Sequence, residues 1–218
     1  MKIPRLSLSK LHFPITALGP GRRVGLWVQG CSLRCAGCMS RDTWAFSKHS
    51  ELVETVLDRM THWLAEADGV TISGGEPFDQ PDALLALLVG LRQRFRGDVL
   101  VYSGYGFEAL QARRGEAVAL IDALISEPFD ASRPSDAPLR GSANQQMHLL
   151  TPLGARRFAD LDTATRTGAA PLDLIASPDG SVWIAGVPGR GDLDRLAHIL
   201  AAQGITLATS AGRLGGVS

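Results

Sequence analysis

Short apolar runs alternate with longer amphipathic stretches between residues 24 and 150, and this alternation limits the folds open to the chain. The runs VGLWVQG, VTIS and DVLVYSG predict buried strands that start at residues 24, 70 and 98. The stretches ELVETVLDRMTHWLAEA and DALLALLVGLRQRF predict helices, and Pro81 suits the first turn of the second one. Strands joined by helical crossovers form a mostly parallel sheet, so an α/β fold is expected.

The element boundaries carry further signals. We expect Ser50 to cap the first helix and Gly69 to end it. GFEALQAR predicts a short helix, AVALIDALIS is ambiguous between helix and strand, and MHLL predicts another strand. The stretch EPFDASRPSDAPLRGSANQQ, residues 127–146, is rich in Pro, Ser, Asp and Gly and predicts a loop. A loop of this length inside a compact domain is usually functional or disordered.

The C-terminal part of the chain has a different pattern. ARRFADLDTATRTGAAP predicts a linker or weak helix, and LDLIASPDGSVWIAGV predicts a hairpin around its PDG turn. DLDRLAHILAAQ predicts an amphipathic helix and ITLATS a last strand, with a frayed end in GRLGGVS. The sequence therefore predicts an open, mostly parallel sheet in residues 1–152 and a small α+β extension in residues 153–218.

Composition limits the classes of partner and the compartment. Lys and Arg number 22, as do Asp and Glu, so a net charge of zero gives no general attraction to nucleic acid or to an anionic membrane. No apolar run approaches the length of a membrane span. Three clustered cysteines argue against a secreted disulfide framework. We expect a protein of the reducing cytoplasm, without nucleic-acid or membrane partners.

Three loops with unusual composition follow the three predicted strands: GCSLRCAGCMSRDTW, SGGEP and SGYG. The carboxyl ends of parallel strands lie at one edge of a sheet, and ligands bind beyond that edge. We therefore expect the three loops to converge on one site.

The first of these loops holds all three cysteines, Cys31, Cys35 and Cys38. A structural zinc site needs four protein ligands, and no histidine stands at zinc-knuckle spacing from the cysteines. A fully ligated 4Fe–4S cluster also needs four thiolates, whereas three leave one iron open, as in a catalytic site. Unligated thiols are a third interpretation. The histidines that could complete a zinc site are His12, His49, His62, His148 and His198.

The motif CxxxCxxC after a first strand, with GGEP after a second, resembles the radical S-adenosylmethionine superfamily. Within it, GCSLRCAGCMSRDTW, TISGGEPFDQP, VYSGYGFEAL, LISEPFDASRP and LRGSANQQMHLL follow one another as in the activating proteins of anaerobic ribonucleotide reductase. Gly37 supports the narrower group, because many superfamily members carry an aromatic residue before the third cysteine, whereas the ribonucleotide reductase activators resemble this chain in having glycine there. The resemblance covers residues 15–152 and implies a partial (βα)n barrel.

The resemblance also implies roles for individual residues. Cys31, Cys35 and Cys38 would each bind one iron of a 4Fe–4S cluster, and the fourth iron would be chelated by the amino and carboxylate groups of S-adenosylmethionine. The other implied cofactor contacts are backbone groups of Gly37 and Met39 at the adenine, Gly74, Gly75 and Glu76 at the methionine amino group, largely through backbone oxygens, Ser103 at the ribose, and Ser142 and Asn144 at the cofactor or at the closure of the site.

The implied activity is reductive cleavage of S-adenosylmethionine to a 5′-deoxyadenosyl radical, which installs a glycyl radical on a partner such as anaerobic ribonucleotide reductase. An electron donor such as flavodoxin or ferredoxin is implied as well. A protein substrate further implies a site that opens on the surface, at a side that a short open sheet leaves unclosed.

Residues 153–218 lie beyond the resemblance and keep other functions open. This extension could lengthen the sheet, cap its open side or bind a partner. A radical S-adenosylmethionine enzyme that acts directly on a peptide or small molecule is one alternative function. A non-catalytic iron–sulfur or zinc module that only binds a partner is the other.

Overall fold

The computed structural model describes residues 3–177, 182–206, 208–209 and 212–213. In chain order the described strands are β1 (Arg5–Leu6), β2 (Leu8–Ile15), β3 (Arg23–Val28), β4 (Glu51–Leu52), β5 (Gly69–Gly74), β6 (Asp98–Tyr102), β7 (Ala123–Ser126), β8 (Gln146–Leu149), β9 (Leu172–Ala176), β10 (Val182–Gly186), β11 (Ala208–Thr209) and β12 (Gly212–Arg213). The main feature of the fold is a six-stranded sheet with the strand order β2-β3-β5-β6-β7-β8.

The four central strands β3, β5, β6 and β7 are parallel, and the edge strands β2 and β8 pair with them in the antiparallel sense. The expected mostly parallel α/β sheet is confirmed. Strand β2 was not expected from the sequence, because Lys10, His12 and Pro14 interrupt its apolar pattern. An edge strand tolerates such residues, since one side of it makes no ladder hydrogen bonds.

Three helices cover one face of the sheet. Along β3, Val24, Leu26 and Val28 belong to the same buried cluster as the apolar residues of these helices. The alternation of side chains along a strand places Trp27 on the opposite face. Among the described residues the helices are α1 (Val53–Leu64), α2 (Pro81–Arg94), α3 (Phe107–Val118), α4 (Pro152–Thr163) and α5 (Asp192–Ala201), of which α1 to α3 form this layer.

Several predicted boundaries are wrong. Ser50 does not cap α1, because its Oγ accepts a hydrogen bond from Arg5 Nε at 3.1 Å and the next two residues pair with β1 as β4. Leu52 stands at the helix N-terminus instead. Gly69 does not end α1 but begins β5, five residues after the helix ends at Leu64.

The ambiguous segment at residues 117–126 divides between two elements. Helix α3 runs through Ala117 and Val118, so it is longer than the short helix expected from GFEALQAR. The last four residues of the segment form strand β7, and residues 119–122 connect the two elements. The long loop at residues 127–145 is confirmed, and MHLL lies within β8 except for its last residue.

The second face of the sheet is covered by parts of the chain beyond residue 152. Phe158 of α4 is fully buried against Leu100 and Ile125, which line this face of β6 and β7. Of the linker and the weak helix expected here, the helix is confirmed up to Thr163, and Thr151 caps it by accepting a hydrogen bond from Gly154 N–H at 3.0 Å. Burial of Phe158 supplies the stability that the local sequence lacks.

The predicted hairpin is confirmed as the pair β9 and β10, whereas its PDG turn lies outside the described residues. It packs beside α4 on the same face, where Ile175 and Ala185 are buried with Trp27. The expected helix from DLDRLAHILAAQ is confirmed as α5. Of ITLATS and GRLGGVS, the structure describes a short ladder of β11 with β12 and the residues Ile205 and Thr206.

The hairpin thus caps part of one face of the sheet, which is one of the roles that the sequence left open for residues 153–218. Asp173 adds polar contacts, because its carboxylate accepts hydrogen bonds from Thr16 N–H at 2.7 Å and Ala17 N–H at 2.9 Å. The division of the chain at residue 152 stays a prediction. In the described part of the chain, no helix is long and apolar enough to cross a membrane.

Candidate functional site

The loops that follow β3, β5 and β6 meet at the carboxyl ends of these strands. Gly75 N–H donates to Val28 O at 2.9 Å, and Glu76 N–H donates to Gly30 O at 2.9 Å. Gly104 N–H donates to Glu76 Oε2 at 2.8 Å. The expected convergence of the cysteine loop, SGGEP and SGYG is confirmed.

The two glycines of SGGEP allow this close approach. Gly74 has a φ of +102°, and a Cβ atom there would lie 2.6 Å from the backbone N and O of Val28. A Cβ on Gly75 would lie 2.1 Å from Gly30 O. Contact of these glycines with the methionine amino group stays a prediction, and the structure adds a second need for them, because any side chain would separate the two loops.

The Glu76 carboxyl group fastens SGGEP to SGYG. It is only 1% exposed, and its Oε1 accepts hydrogen bonds from Phe78 N–H at 3.0 Å and Ser103 Oγ at 2.9 Å. Burial raises the pKa of Glu76 to about 7, although these donors and Gly104 N–H favour the charged form. The side chain is therefore engaged within the protein, which agrees with a backbone role toward a ligand.

Ser103 lies beneath this carboxyl group. Its hydroxyl group is buried, donates to Glu76 Oε1 and accepts a hydrogen bond from Tyr105 N–H at 3.1 Å. The ribose contact implied for Ser103 stays a prediction, and in this arrangement the hydroxyl proton is already committed to Glu76.

The cysteine loop is closed by backbone hydrogen bonds. Cys31 N–H donates to Trp44 O at 3.2 Å, so the two ends of the loop lie together. Cys38 N–H donates to Cys35 O at 3.1 Å, which makes a tight turn between the second and third cysteines. All three thiols are therefore carried by one short, closed segment.

The surroundings of the thiols suit an iron–sulfur cluster. Burial raises the pKa of Cys31, and backbone N–H groups of Arg34 and Leu33 oppose that rise by hydrogen bonding to its sulfur. Burial likewise raises the pKa of Cys35, opposed first by a hydrogen bond from the backbone of Phe129. Backbone N–H groups directed at cysteine sulfur are one of the features that tune such clusters.

The number and type of the cysteine ligands, rather than a preformed arrangement of their side chains, indicate an iron–sulfur cluster. Within the part of the chain that the structure describes, no group of three or more His, Cys, Asp or Glu side chains stands ready to hold a metal ion. Three thiols from a single loop, without a fourth cysteine in the sequence, match a cluster that keeps one iron open for a substrate.

Gly37 lies where the cysteine loop meets the loop at residues 127–145, and Met39 follows it two positions further along. Gly37 has a left-handed φ of +77°, and a Cβ atom there would lie 3.1 Å from Ala131 Cβ. Met39 is 37% exposed, so its side chain lies partly at the surface. The adenine contacts implied for both residues stay predictions.

Ser142 and Asn144 hold the loop at residues 127–145 together. Ser142 is fully buried and its Oγ accepts a hydrogen bond from Asp130 N–H at 3.1 Å. Asn144 Nδ2 donates to Pro128 O at 2.7 Å, while its Oδ1 is buried and has no hydrogen-bond partner among the described residues. The structure thus favours loop closure for Ser142, and it leaves Asn144 with an acceptor for a ligand.

The sequence analysis missed a cluster formed by Ser32, Asp79 and Tyr105. The Asp79 carboxylate accepts hydrogen bonds from Ser32 N–H at 2.7 Å and from the Tyr105 hydroxyl at 2.6 Å. It joins the cysteine loop to both other loops. The signal was present in GGEPFDQ, where an acidic residue follows the glycine motif closely, but its partners are far away in the sequence.

Comparison with known proteins places this geometry in a family. A family model described as a 4Fe-4S single cluster domain matches residues 17–148, which include all three cysteines and the three converging loops. The match ends before α4 and the hairpin, so the extension lies outside it.

Individual relatives give the same result. The anaerobic ribonucleoside-triphosphate reductase-activating protein of Escherichia coli K12 is 32% identical over 150 residues, which cover 64% of this chain and 96% of the relative. The protein of the same name from Enterobacteria phage T4 is 31% identical over 136 residues, covering 59% and 85%. The pyruvate formate-lyase-activating enzyme of Staphylococcus aureus is 40% identical over 84 residues, covering 36% and 34%. The chain belongs to the radical S-adenosylmethionine family of glycyl-radical-activating enzymes, whose cofactors are a 4Fe–4S cluster and S-adenosylmethionine.

Proposed function

We propose that this chain installs a glycyl radical on a partner enzyme, and that the partner is an anaerobic ribonucleoside-triphosphate reductase. The observation that carries the proposal is the convergence of the cysteine loop, SGGEP and SGYG in a chain that matches reductase-activating proteins. When bound, the reduced cluster would supply one electron to the sulfonium of S-adenosylmethionine, so that its S–C5′ bond breaks to give methionine and a 5′-deoxyadenosyl radical able to take a hydrogen atom from a glycine Cα of the partner.

The residues of this chain bind and orient these groups. Cys31, Cys35 and Cys38 hold the three protein-ligated irons. The remaining contacts that we propose are those of Gly37 and Met39 with the adenine, of Gly74, Gly75 and Glu76 with the methionine amino group, of Ser103 with the ribose, and of Ser142 and Asn144 with the cofactor or the closed loop. No side chain transfers a proton in this scheme.

Exclusion of water is the second task of the protein, since the radical attacks nearly any nearby group. Helices α1 to α3 seal one face of the sheet, and α4 with the hairpin seals much of the other. The partner's glycine must therefore reach the site at the rim formed by the converging loops.

The proposal also includes the barrel architecture, the division into two units, the electron donor and the cellular compartment. The parallel strands β3, β5, β6 and β7 support a partial (βα)n barrel in residues 1–152, with residues 153–218 as a separate unit. A flavodoxin or ferredoxin supplies the electron. The clustered thiols favour the reducing cytoplasm.

Anaerobic reconstitution tests the function. The protein is loaded with iron and sulfide, reduced with S-adenosylmethionine, and mixed with an anaerobic ribonucleoside-triphosphate reductase. We expect 5′-deoxyadenosine and a glycyl-radical electron paramagnetic resonance signal on the reductase. Cys31→Ser should abolish both, whereas Ser40→Ala, in the same loop, should preserve both. If wild-type protein with a complete iron–sulfur cluster forms no 5′-deoxyadenosine, the hypothesis that the protein is an enzyme is overturned.

One observation favours a second candidate, a radical enzyme that acts directly on a peptide or small molecule. The hairpin and α4 occupy the sheet face at which a partner's loop was expected to enter, so access to the site is narrower than in a bare open sheet. Formation of 5′-deoxyadenosine without a glycyl radical on any reductase offered would select this candidate.

A further inference from the structure

The Asp79 carboxylate bridges the cysteine loop and the SGYG loop. Its Oδ2 accepts a hydrogen bond from Ser32 N–H at 2.7 Å, and its Oδ1 accepts from Ser32 Oγ at 3.1 Å. The Tyr105 hydroxyl donates to the same Oδ1 at 2.6 Å and lies 3.0 Å from Ser32 Oγ. One carboxylate thus holds donors from two loops.

This bridge acts on the first cysteine of the motif. Ser32 follows Cys31 directly, so the amide that Asp79 holds is the one that links the two residues. Asp79 is itself fixed, because its own N–H donates to Glu76 O at 3.1 Å within the short 3₁₀ turn Pro77–Asp79. The position of Cys31 is therefore set relative to SGGEP.

The bridge also keeps a negative charge at this place. The three groups that donate to Asp79 are an amide and two hydroxyls, all neutral, so they stabilise the carboxylate without cancelling its charge. The hydrogen bond between Asp79 and the Tyr105 hydroxyl is the largest cause of the raised pKa of Tyr105.

We propose that Asp79 is a positioning residue of the cofactor site, which holds Cys31 in place for the cluster and lowers the reduction potential of the cluster through its charge. The inference rests on the proposed placement of the cluster at Cys31, Cys35 and Cys38. Net charge and hydrogen bonding around the ligating sulfurs are levers that set iron–sulfur potentials. A lower potential makes the reduced cluster a stronger donor to a sulfonium.

A series of variants separates charge from hydrogen bonding. Asp79→Asn removes the charge with little change of shape, whereas Tyr105→Phe removes one hydrogen bond and keeps the charge. Asp82→Asn is the matched control, because Asp82 is an exposed carboxylate in the first turn of α2, three positions further along the chain. Each protein is reconstituted and its cluster potential is measured by anaerobic redox titration without S-adenosylmethionine.

We expect Asp79→Asn to move the potential to a more positive value. The ratio of reduced to oxidised cluster at a fixed potential should rise by about threefold to tenfold, where tenfold corresponds to about 59 mV for a one-electron couple. Tyr105→Phe and Asp82→Asn should titrate like the wild type. An unchanged potential in Asp79→Asn, or an equal shift in Tyr105→Phe, would overturn the charge effect.

The positioning effect has its own measurement. Loss of iron to a chelator should be severalfold faster in Asp79→Asn than in Asp82→Asn, while the thermal unfolding midpoints of the two apoproteins agree. Failure of Asp79→Asn to assemble a cluster, with an apoprotein of wild-type stability, also supports the inference. A loss of apoprotein stability that parallels the loss of iron would assign Asp79 a merely structural role. Neither the redox titration nor the iron-loss measurement requires cleavage of S-adenosylmethionine. A failure of the proposed function, seen as absence of 5′-deoxyadenosine or of the glycyl radical, is therefore distinguishable from a failure of this inference.

Discussion

Trp183 of β10 lies edge-on against Trp27 of β3, with ring centroids 5.0 Å apart and ring planes at 82°. Aromatic pairs favour this arrangement because the positive edge of one ring meets the negative face of the other. His12 makes a second edge contact with Trp183 at a centroid distance of 5.8 Å. The hairpin is therefore packed on the sheet at a defined place.

Truncation of Trp183 should weaken this packing. We expect Trp183→Ala to lower the free energy of unfolding by about 2 kcal/mol, less than for a fully buried tryptophan because the ring is only partly buried. Urea unfolding of the apoprotein measures the change. Val182→Ala, at a neighbouring residue that is 62% exposed, should change stability by less than about 0.5 kcal/mol. Equal effects of the two substitutions would contradict the packing.

The central strands could be predicted because their signal is local. VTIS and DVLVYSG are short apolar runs between breakers, and both became strands of the parallel sheet. Strand β2 was not predicted in this way, and for helix α4 the sequence left a linker and a weak helix open. The first depends on pairing with β3, and the second depends on burial of Phe158 against a sheet that is distant in sequence.

Likewise, only part of the candidate site could be predicted from the sequence. The cysteine loop and SGGEP were found from their residue types and their places after predicted strands, and the resemblance to a known family implied their roles. The bond from Ser103 to Glu76 and the bridge at Asp79 join residues that are far apart in the sequence. No periodicity records such contacts, so only the fold reveals them.

The buried carboxyl group of Glu76 should make stability depend on pH. With a pKa of about 7 in the folded protein and an ordinary value of 4.5, the folded state keeps a proton that the unfolded state has lost between these values. The contribution of Glu76 to the free energy of unfolding therefore falls as pH rises from about 4.5 to 7, by up to about 3 kcal/mol.

Glu76→Gln should remove this slope. The difference in free energy of unfolding between wild-type and Glu76→Gln apoprotein, measured in urea at pH 5 and pH 7.5, should shift in favour of the variant at the higher pH. Glu116→Gln changes an exposed residue of α3 in the same chemical way and should leave the pH dependence of the wild type intact. The same slope in wild type and Glu76→Gln would contradict the raised pKa.

A single methyl group at Gly75 should disrupt the site. Its Cβ atom would lie 2.1 Å from Gly30 O, and a backbone atom cannot move aside without displacing the cysteine loop. We expect Gly75→Ala to lower apoprotein stability by about 1–3 kcal/mol and to reduce the iron retained after reconstitution. Gly168→Ala is the control, since a Cβ there meets nothing within 4 Å. Normal iron content in Gly75→Ala would show that the loops need not touch.

Asp98 joins α4 to the sheet at the end opposite the candidate site. It is fully buried, its Oδ1 accepts from an Arg23 guanidinium nitrogen at 2.5 Å, and its Oδ2 accepts from Arg157 Nε at 3.0 Å. Removing one partner of a buried ion pair leaves the other charge without compensation. We therefore expect Asp98→Asn to lower the free energy of unfolding by about 3–5 kcal/mol, measured in urea on the apoprotein.

The control for Asp98 is an exposed pair. Glu51→Gln, which breaks the contact with Arg59, should cost less than about 1 kcal/mol because water screens both charges. Asp98 is the first residue of β6, whereas the site lies beyond the last, so the cluster of Asp98→Asn, under conditions in which the protein stays folded, should keep the wild-type reduction potential. A small loss of stability, equal to that of Glu51→Gln, would show that the two arginines do not depend on Asp98. A changed potential would show that the two ends of the sheet are coupled.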